Sequence, residues 1–163
     1  MKKNNLVWNI SIKMMDPDDV SDNEIIQDIE KVDDLEQTDR DGRTLLINAA
    51  AYNRNSIVKY LLEHGSTVSA RDRMGFSALH FAVQNANMDL IKTLLDAGAD
   101  VNQKNGFGNA PLMVANPVTH LEELYKLLLS YGADPNLKND YGMTVKDLCG
   151  AYPHIMNIIF PEE

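Results

Sequence analysis

The sequence predicts an all-α solenoid in which helical hairpins stack side by side and short β-turn fingers protrude between them. The main observation is self-similarity: four segments that start with glycine share one layout, and their glycines are spaced by 33, 33 and 34 residues. A second glycine series keeps the same step. A fixed period of this length is typical of a stacked repeat, because each unit leaves an apolar face that only its neighbour can cover. The four segments are GRTLLINA at 42–49, GFSALHFA at 75–82, GNAPLMVA at 108–115 and GMTVKDLC at 142–149, and the second series is Gly65, Gly98 and Gly132.

Residues 72–104 show how one repeat is expected to fold. Gly75 suits a tight turn, and Ser77 is a suitable N-cap for a helix that runs from Ala78 to about Asn85. Apolar residues at helical spacing then predict a second helix, which ends at Gly98. The short link makes the two helices antiparallel, so each repeat is a helical hairpin.

The repeats are predicted at 39–71, 72–104, 105–138 and 139–163, the last being a truncated C-terminal cap in which Pro153 begins a final helix. Residues 1–38 are predicted to be an N-terminal acidic capping segment. Within it, Ser21 and Glu24 fit a capping box, followed by the apolar helix face Ile25, Ile26, Ile29 and Val32. Residues 5–15 have no assigned role. Leu6, Trp8, Ile10 and Ile12 alternate as in a β-strand, but a helical stack offers such a strand no partner.

The second repeat resembles the ankyrin repeat, whose pattern is roughly G-x-T-P-L-H-x-A-A followed by L-L-x-x-G-A-D-x-N. It contains GFSALHFA and then LIKTLLDAGADVNQKN, and the resemblance extends from Asp39 to about Cys149. It implies an ankyrin solenoid in which His80 hydrogen-bonds the neighbouring turn. The chain departs from the pattern at Leu45-Leu46-Ile47, where the family favours Pro-Leu-His, and at NPVTHL (116–121), which should lengthen one link between helices.

Charge and composition limit the possible partners. The net charge is −9, and residues 14–41 alone hold twelve acids against two bases, so we expect no nucleic-acid partner. No apolar run is long enough to cross a bilayer, and we expect a cytoplasmic protein that is monomeric when alone. Cys149 is the only cysteine, and the four histidines lack the spacing of a zinc site. We therefore expect no metal, no cofactor and no catalytic residues.

Two sets of residues are candidates for binding a protein partner. The first is a row of large side chains beside the turn glycines, with two residues at the ends of first helices: Met74, Phe76, Phe107, Tyr141 and Met143, with Tyr52 and Asn85. An exposed apolar row of this kind marks a partner surface, although the same side chains could instead stack on neighbouring fingers. The second set is Asp28, Asp33 and Asp34, which would attract a basic partner or simply keep the end of the stack solvated.

The resemblance implies a protein–protein interaction module and not an enzyme. GFGNAPLMVAN and LLLSYGADPNLKNDYGMT are also similar to ankyrin proteins encoded beside secreted bacterial toxins, which implies an immunity protein that occludes a cognate, basic toxin domain. The alternatives are an adaptor that joins two cellular proteins and a regulatory subunit of an enzyme.

Overall fold

The computed structural model describes residues 6–16, 18, 20–115, 122–150 and 152–161. Within these residues every regular element is a helix, which confirms the predicted all-α class. The helices are α1 Leu6–Met14, α2 Asp22–Ile29, α3 Leu45–Ala51, α4 Asn55–Glu63, α5 Ala78–Gln84, α6 Met88–Asp96, α7 Pro111–Val114, α8 Glu122–Ser130, α9 Val145–Cys149 and α10 Pro153–Ile159.

The helices form stacked hairpins. One row consists of α1, α3, α5, α7 and α9, each packed against the next, and in the other row α2 packs on α4, α4 on α6, and α8 on α10. Between the rows lies one continuous apolar core that runs the length of the stack. The side chains in it come from every hairpin and include Ile10, Ile25, Leu45, Leu61, Leu79, Leu94, Leu128 and Ile155.

The second repeat has the predicted hairpin. Helix α5 ends at Gln84, one residue before the predicted end, and α6 ends at Asp96 with Gly98 just beyond it at φ +88°. Ala82 is fully buried, as expected for a small residue where two helices approach closely. Asn87 caps α6 by accepting a hydrogen bond from the N–H of Leu90, at 3.1 Å.

Residues 6–14 form a helix, so the strand-like alternation there does not describe the structure. The buried residues of α1 are Val7, Ile10, Ser11 and Met14, which recur at the helical spacing of three and four residues. Packing decides between the two patterns, because α3 offers a helical face to cover, whereas a lone strand would have no partner for its backbone. Together α1 and α2 are a further helical hairpin at the N-terminal end of the stack.

Helix α2 begins as predicted. The N–H of Glu24 donates to Ser21 Oγ, and the Glu24 carboxylate accepts from the N–H of Ser21, which is a complete capping box. Ile25 and Ile29 are buried. Val32 lies beyond the end of the helix and packs on the core from the following loop.

Arg54 ties the N-terminal hairpin to the stack. Arg54 lies in the link from α3 to α4 and is buried, and its guanidinium donates to four backbone carbonyls: Lys13 at 3.2 Å and Met14 at 3.1 Å at the end of α1, then Asp16 at 2.7 Å and Val20 at 3.4 Å. It also pairs with the Asp22 carboxylate at 2.9 Å. A buried guanidinium is stable only when its donors find acceptors, so this arrangement holds the end of α1 and the start of α2 against the stack.

At the C-terminal end, Pro153 is the first residue of α10, as predicted. The insertion at 116–121 lies outside the described residues. On its N-terminal side α7 has only four residues, and the Tyr125 hydroxyl of α8 donates to the Ala115 carbonyl at 3.2 Å. This hydrogen bond ties α8 to the end of α7.

Replacing Arg54 with alanine should destabilise the protein by about 3 to 5 kcal/mol, because buried acceptors then lose their donor. Urea unfolding would measure the change, and hydrogen exchange should show faster exchange in residues 6–29 with little change in α6, since repeats contact only their neighbours. The matched control is Arg71→Ala, which removes an exposed arginine and should change stability by less than about 0.5 kcal/mol. Equal losses in the two variants would contradict the role given to Arg54.

Candidate functional site

The four fingers are five-residue loops closed by the same hydrogen bonds. In the second finger, the N–H of Asp72 donates to the Phe76 carbonyl, and Asp72 Oδ1 accepts from the N–H groups of Met74 and Phe76, each at 2.9 Å. The turn glycine, Gly75, has φ +77°. Loops that begin at Asp39, Asn105 and Asn139 repeat this pattern.

Adjacent fingers are joined by backbone hydrogen bonds. The N–H of Arg73 donates to the Asp41 carbonyl at 3.1 Å, that of Gly106 to the Met74 carbonyl at 2.7 Å, and that of Asp140 to the Phe107 carbonyl at 3.1 Å. The second and third fingers approach so closely that a Cβ on Gly75 would lie 2.5 Å from the amide nitrogen of Gly106. These contacts make the fingers one continuous row.

Five side chains on this row form an apolar surface that we call the finger strip: Met74, Phe76, Phe107, Tyr141 and Met143. Tyr141 is 74% exposed and Met74 54%, whereas Phe107 and Met143 are 38% and 37% exposed. Phe76 is half-buried, and its ring packs edge-on against Phe107 with centroids 6.4 Å apart. The Phe76 ring also contacts His80 and Phe81 of its own repeat, with centroids 5.5 and 5.6 Å away, so ring contacts within the repeat and with the next finger account for it. The other four residues present apolar area to solvent.

His80 has the predicted contact with the neighbouring finger. Its Nδ1 accepts from the N–H of Ser77 at 3.2 Å, so the proton lies on Nε2, which donates to the Asn109 carbonyl at 3.1 Å. Burial lowers the pKa of His80, and the hydrogen bond to Asn109 opposes that shift. The imidazole is thus a neutral structural link, with both nitrogens engaged.

Asn85 and Tyr52 lie on the helix row. The Asn85 amide donates to the carbonyl of Ala51 at 3.0 Å at the end of α3, so its side chain links two repeats. Tyr52 is half-exposed and lines a hollow of about 150 Å³ together with Trp8 and Ile12 of α1 and Met15, which directly follows that helix. The structure places Tyr52 beside apolar residues of α1 that the sequence analysis did not consider as binding residues.

The three acidic candidates differ in their surroundings. Asp28 forms ion pairs with Lys13 and Lys31, and its hydrogen bonds to these two lysines hold its pKa below the usual range. Asp33 and Asp34 are exposed and line an open groove of about 510 Å³. The groove also contains Glu30, Glu36 and the stacked rings of Tyr60 and His64, whose centroids are 3.9 Å apart.

The residues that begin each finger, Asp39, Asp72, Asn105 and Asn139, were missed by the sequence analysis. Each is an aspartate or asparagine three residues before a turn glycine, and that recurrence was the available signal. The second terminal atom of the side chain, Oδ2 of Asp72 or Nδ2 of Asn139, makes a further contact. Asp72 pairs with Arg43 of the preceding finger at 3.4 Å, and Asn139 donates to Asn109 Oδ1 at 2.9 Å.

In the part of the chain that the structure describes, no group of three or more histidine, cysteine, aspartate or glutamate side chains is placed to hold a metal ion. No helix there has the length and apolar character needed to cross a membrane.

Comparison with known proteins identifies the repeat. The family model described as "Ankyrin repeats (3 copies)" matches residues 20–105, and the one described as "Ankyrin repeat" matches residues 107–140. The chain is 40% identical over 88 residues to the "B-cell lymphoma 3 protein homolog" of Mus musculus, which covers 53% of this chain and 20% of the relative.

Two further relatives show the same pattern of partial coverage. The "Protein fem-1 homolog A-like" of Mus musculus is 32% identical over 87 residues, covering 53% of this chain and 13% of the relative. The "Putative ankyrin repeat protein L271" of Acanthamoeba polyphaga mimivirus is 40% identical over 68 residues, covering 42% and 9%. The chain thus spans a fifth or less of the length of these curated relatives.

The fingers provide a test of the hydrogen-bonding pattern. Asp72→Ala should cost about 1 to 3 kcal/mol in urea unfolding, because the N–H groups of Met74 and Phe76 lose their acceptor. Asp72→Asn should retain most of that stability, since Asn105 and Asn139 fill the same position in other fingers. The control Asp41→Ala changes an exposed aspartate on a fingertip. An asparagine variant as unstable as the alanine variant would mean that the ion pair with Arg43, and not the loop, is the source of the stability.

Proposed function

The chain belongs to the ankyrin-repeat family, whose repeats are protein-binding modules, and we propose that it binds its partner through the finger strip. The observation that carries the proposal is the exposure of Met74, Phe107, Tyr141 and Met143 in one row on hydrogen-bonded fingers. Large apolar side chains in a contiguous exposed row are an unfavourable arrangement for a surface that only meets water. Aromatic residues and methionine are also the types enriched at protein interfaces.

An adaptor that binds or regulates other cellular proteins is the function that best fits this geometry. The finger strip is apolar, whereas the groove beside Asp33 and Asp34 is acidic and lies next to α2 and α4. Surfaces with such different chemistry suit two partners. Ankyrin repeats are in general non-catalytic, so the proposed effect on a partner is by joining or by occlusion.

An immunity protein that neutralises a secreted toxin is a second proposal, and the acidic N-terminal region is the observation that favours it. Exposed carboxylates at Asp33 and Asp34 would attract a basic toxin domain and raise its association rate. In that case one partner would contact both surfaces, and the protein would act by covering the toxin's site. Rescue of cells from one toxin and from no unrelated toxin would favour immunity over the adaptor proposal.

Affinity capture tests the finger strip as the binding surface. The immobilised unmodified protein and the Tyr131→Ala variant should capture the same partner from a lysate of the source cell. The double variant Phe107→Ala with Tyr141→Ala should no longer capture that partner. Tyr131 is the matched control, because it is an exposed tyrosine outside the finger loops that directly follows α8, where its hydroxyl donates to Asp96. Equal capture by the unmodified protein and both variants would exclude the finger strip as the binding surface. Capture of two different partners through different surfaces would favour the adaptor proposal.

Kinetics with the purified partner separate the contributions of the two surfaces. Phe107→Ala should raise the dissociation rate about 30-fold, the equivalent of about 2 kcal/mol, because a central apolar contact is lost. For a basic partner, Asp33→Asn with Asp34→Asn should slow association at low salt and have little effect at high salt.

The control for the acidic pair is Asp89→Asn with Asp100→Asn, two exposed aspartates elsewhere on the stack. Asp28 is left unchanged because Lys13 and Lys31 already neutralise it. Association that slows equally in both pairs would show that net charge and not the acidic groove attracts the partner.

A further inference from the structure

The charge on the fingers is opposite to that of the acidic N-terminal region. In the second to fourth fingers and the residue that precedes each, which together are 71–76, 104–109 and 138–143, the exposed charged residues are Arg71, Arg73, Lys104, Lys138 and Asp140. The other acid in these residues, Asp72, is buried and paired with Arg43. Although the whole chain has a net charge of −9, a partner that meets these fingers meets positive charge.

The cations and the apolar side chains are arranged with the same period. Arg71, Lys104 and Lys138 each precede the first residue of a finger, and we call these three residues the basic ridge. The exposed apolar residues Met74, Phe107 and Tyr141 each follow three residues later. Every finger from the second to the fourth is therefore preceded by a cation and presents at least one large exposed apolar side chain.

The cations of the ridge are not used in ion pairs within the part of the chain that the structure describes. Lys104 Nζ donates to the Lys138 carbonyl at 2.7 Å, so this side chain extends from the third finger to the fourth along the row. No carboxylate lies within 4 Å of the charged groups of Arg71, Lys104 or Lys138 in the described residues. Lys138 acts on the Asp147 carboxylate from beyond that distance, and the charges of Arg71 and Lys104 are available to a partner that brings acidic groups.

We propose that the finger strip and the basic ridge together bind an acidic segment of a partner protein in which a large apolar side chain recurs at every third position with acidic side chains between. This inference rests on the proposed function and names the chemistry of the partner at that surface. The apolar side chains would cover Met74, Phe107 and Tyr141, and the carboxylates would pair with Arg71, Lys104 and Lys138. A basic partner would place its charge against the ridge, which costs affinity and slows association.

The spacing of the fingers indicates how such a segment would be built. Stacked helices lie about 8 to 10 Å apart, and an extended chain in the polyproline II conformation rises about 3.1 Å per residue with three residues per turn, which places every third side chain on one face. One finger therefore corresponds to about three residues of an extended partner. A segment with an apolar residue at every third position and acids between them would match the row in register.

A nucleic acid also offers negative charge and flat bases, but it is disfavoured here. The ridge supplies only three cations, and residues 14–41 carry a net charge of −10 that repels a polyphosphate. Non-specific single-strand binding uses a positively charged groove that follows the backbone. A protein segment with a few acids needs far less positive charge.

Fluorescence anisotropy with designed probes tests the inference. The acidic probe is a labelled twelve-residue peptide with four repeats of Leu-Asp-Ser, the basic probe has four repeats of Leu-Lys-Ser, and a third probe is a twelve-nucleotide thymidine strand. The unmodified protein should bind the acidic peptide at least about tenfold more tightly than either other probe at low salt, and high salt should remove most of that preference.

Two triple variants with the same change in charge locate the site. Arg71→Glu with Lys104→Glu and Lys138→Glu should abolish the preference for the acidic peptide. The control replaces the exposed lysines of the second helix row, Lys59→Glu with Lys92→Glu and Lys126→Glu, and should leave the affinity within about twofold. Phe107→Ala should weaken binding of the acidic peptide without reversing the preference. Circular dichroism of each variant verifies that it is folded.

Several outcomes would overturn the inference: tighter binding of the basic peptide or of the thymidine strand, no binding of the acidic peptide, or equal losses in the two triple variants. These failures are distinct from failure of the proposed function. If Phe107→Ala with Tyr141→Ala still loses the captured partner while the acidic peptide is not preferred, the strip remains the binding surface and only its charge preference is wrong. If capture does not depend on the strip, the proposed function fails first.

Discussion

The fingers depend on a single buried oxygen at the start of each loop. Asp72 Oδ1 and its equivalents accept two backbone N–H groups that would otherwise lack a partner inside a five-residue loop. Without that acceptor the loop could not close so tightly, because its own backbone offers too few carbonyls. The exposed row of side chains, the contacts between fingers and the position of His80 against Asn109 all follow from loops of this shape.

The helical hairpins could be predicted from the sequence because their signals are local. Ser77, Asn87 and Gly98 lie within a few residues of the helix ends that they define, and the apolar spacing of three and four residues marks the buried face of α6. The period of 33 residues then fixes which hairpins are neighbours. Nothing beyond local chemistry and one repeat length was needed for this part of the fold.

Features that depend on distant partners could not be predicted in the same way. Arg54 reads as an ordinary surface cation, since its acceptors lie 32 to 41 residues earlier in the chain. Asp28 was selected for its charge, but Lys13 approaches it only because α1 folds as a helix beside α2. The N-terminal helix itself was missed because Leu6, Trp8, Ile10 and Ile12 satisfy a period of two as well as a helix does. Only the presence of α3 decides between them.

For the candidate site, the sequence could indicate which side chains are large and where the turns fall, but not how far each is exposed. Phe76 and Phe107 occupy different places beside their turn glycines, and the structure packs the first against the rings of His80, Phe81 and Phe107. Exposure depends on contacts between neighbouring fingers, which are made 30 or more residues apart. The sign of the local charge was likewise hidden, since an acid such as Asp72 counts in the composition but lies buried.

The hydrogen bonds that join successive fingers also have a consequence for the entropy of binding. A partner that docks on independent loops must immobilise each of them, at a cost of about 1 to 2 kcal/mol for every residue whose backbone becomes fixed. Here Asp41, Met74 and Phe107 already accept bonds from the next finger, so their backbone is ordered before any partner arrives. The ordering cost then falls on the partner alone, and a short flexible segment is the kind of ligand for which a preorganised surface makes the greatest difference.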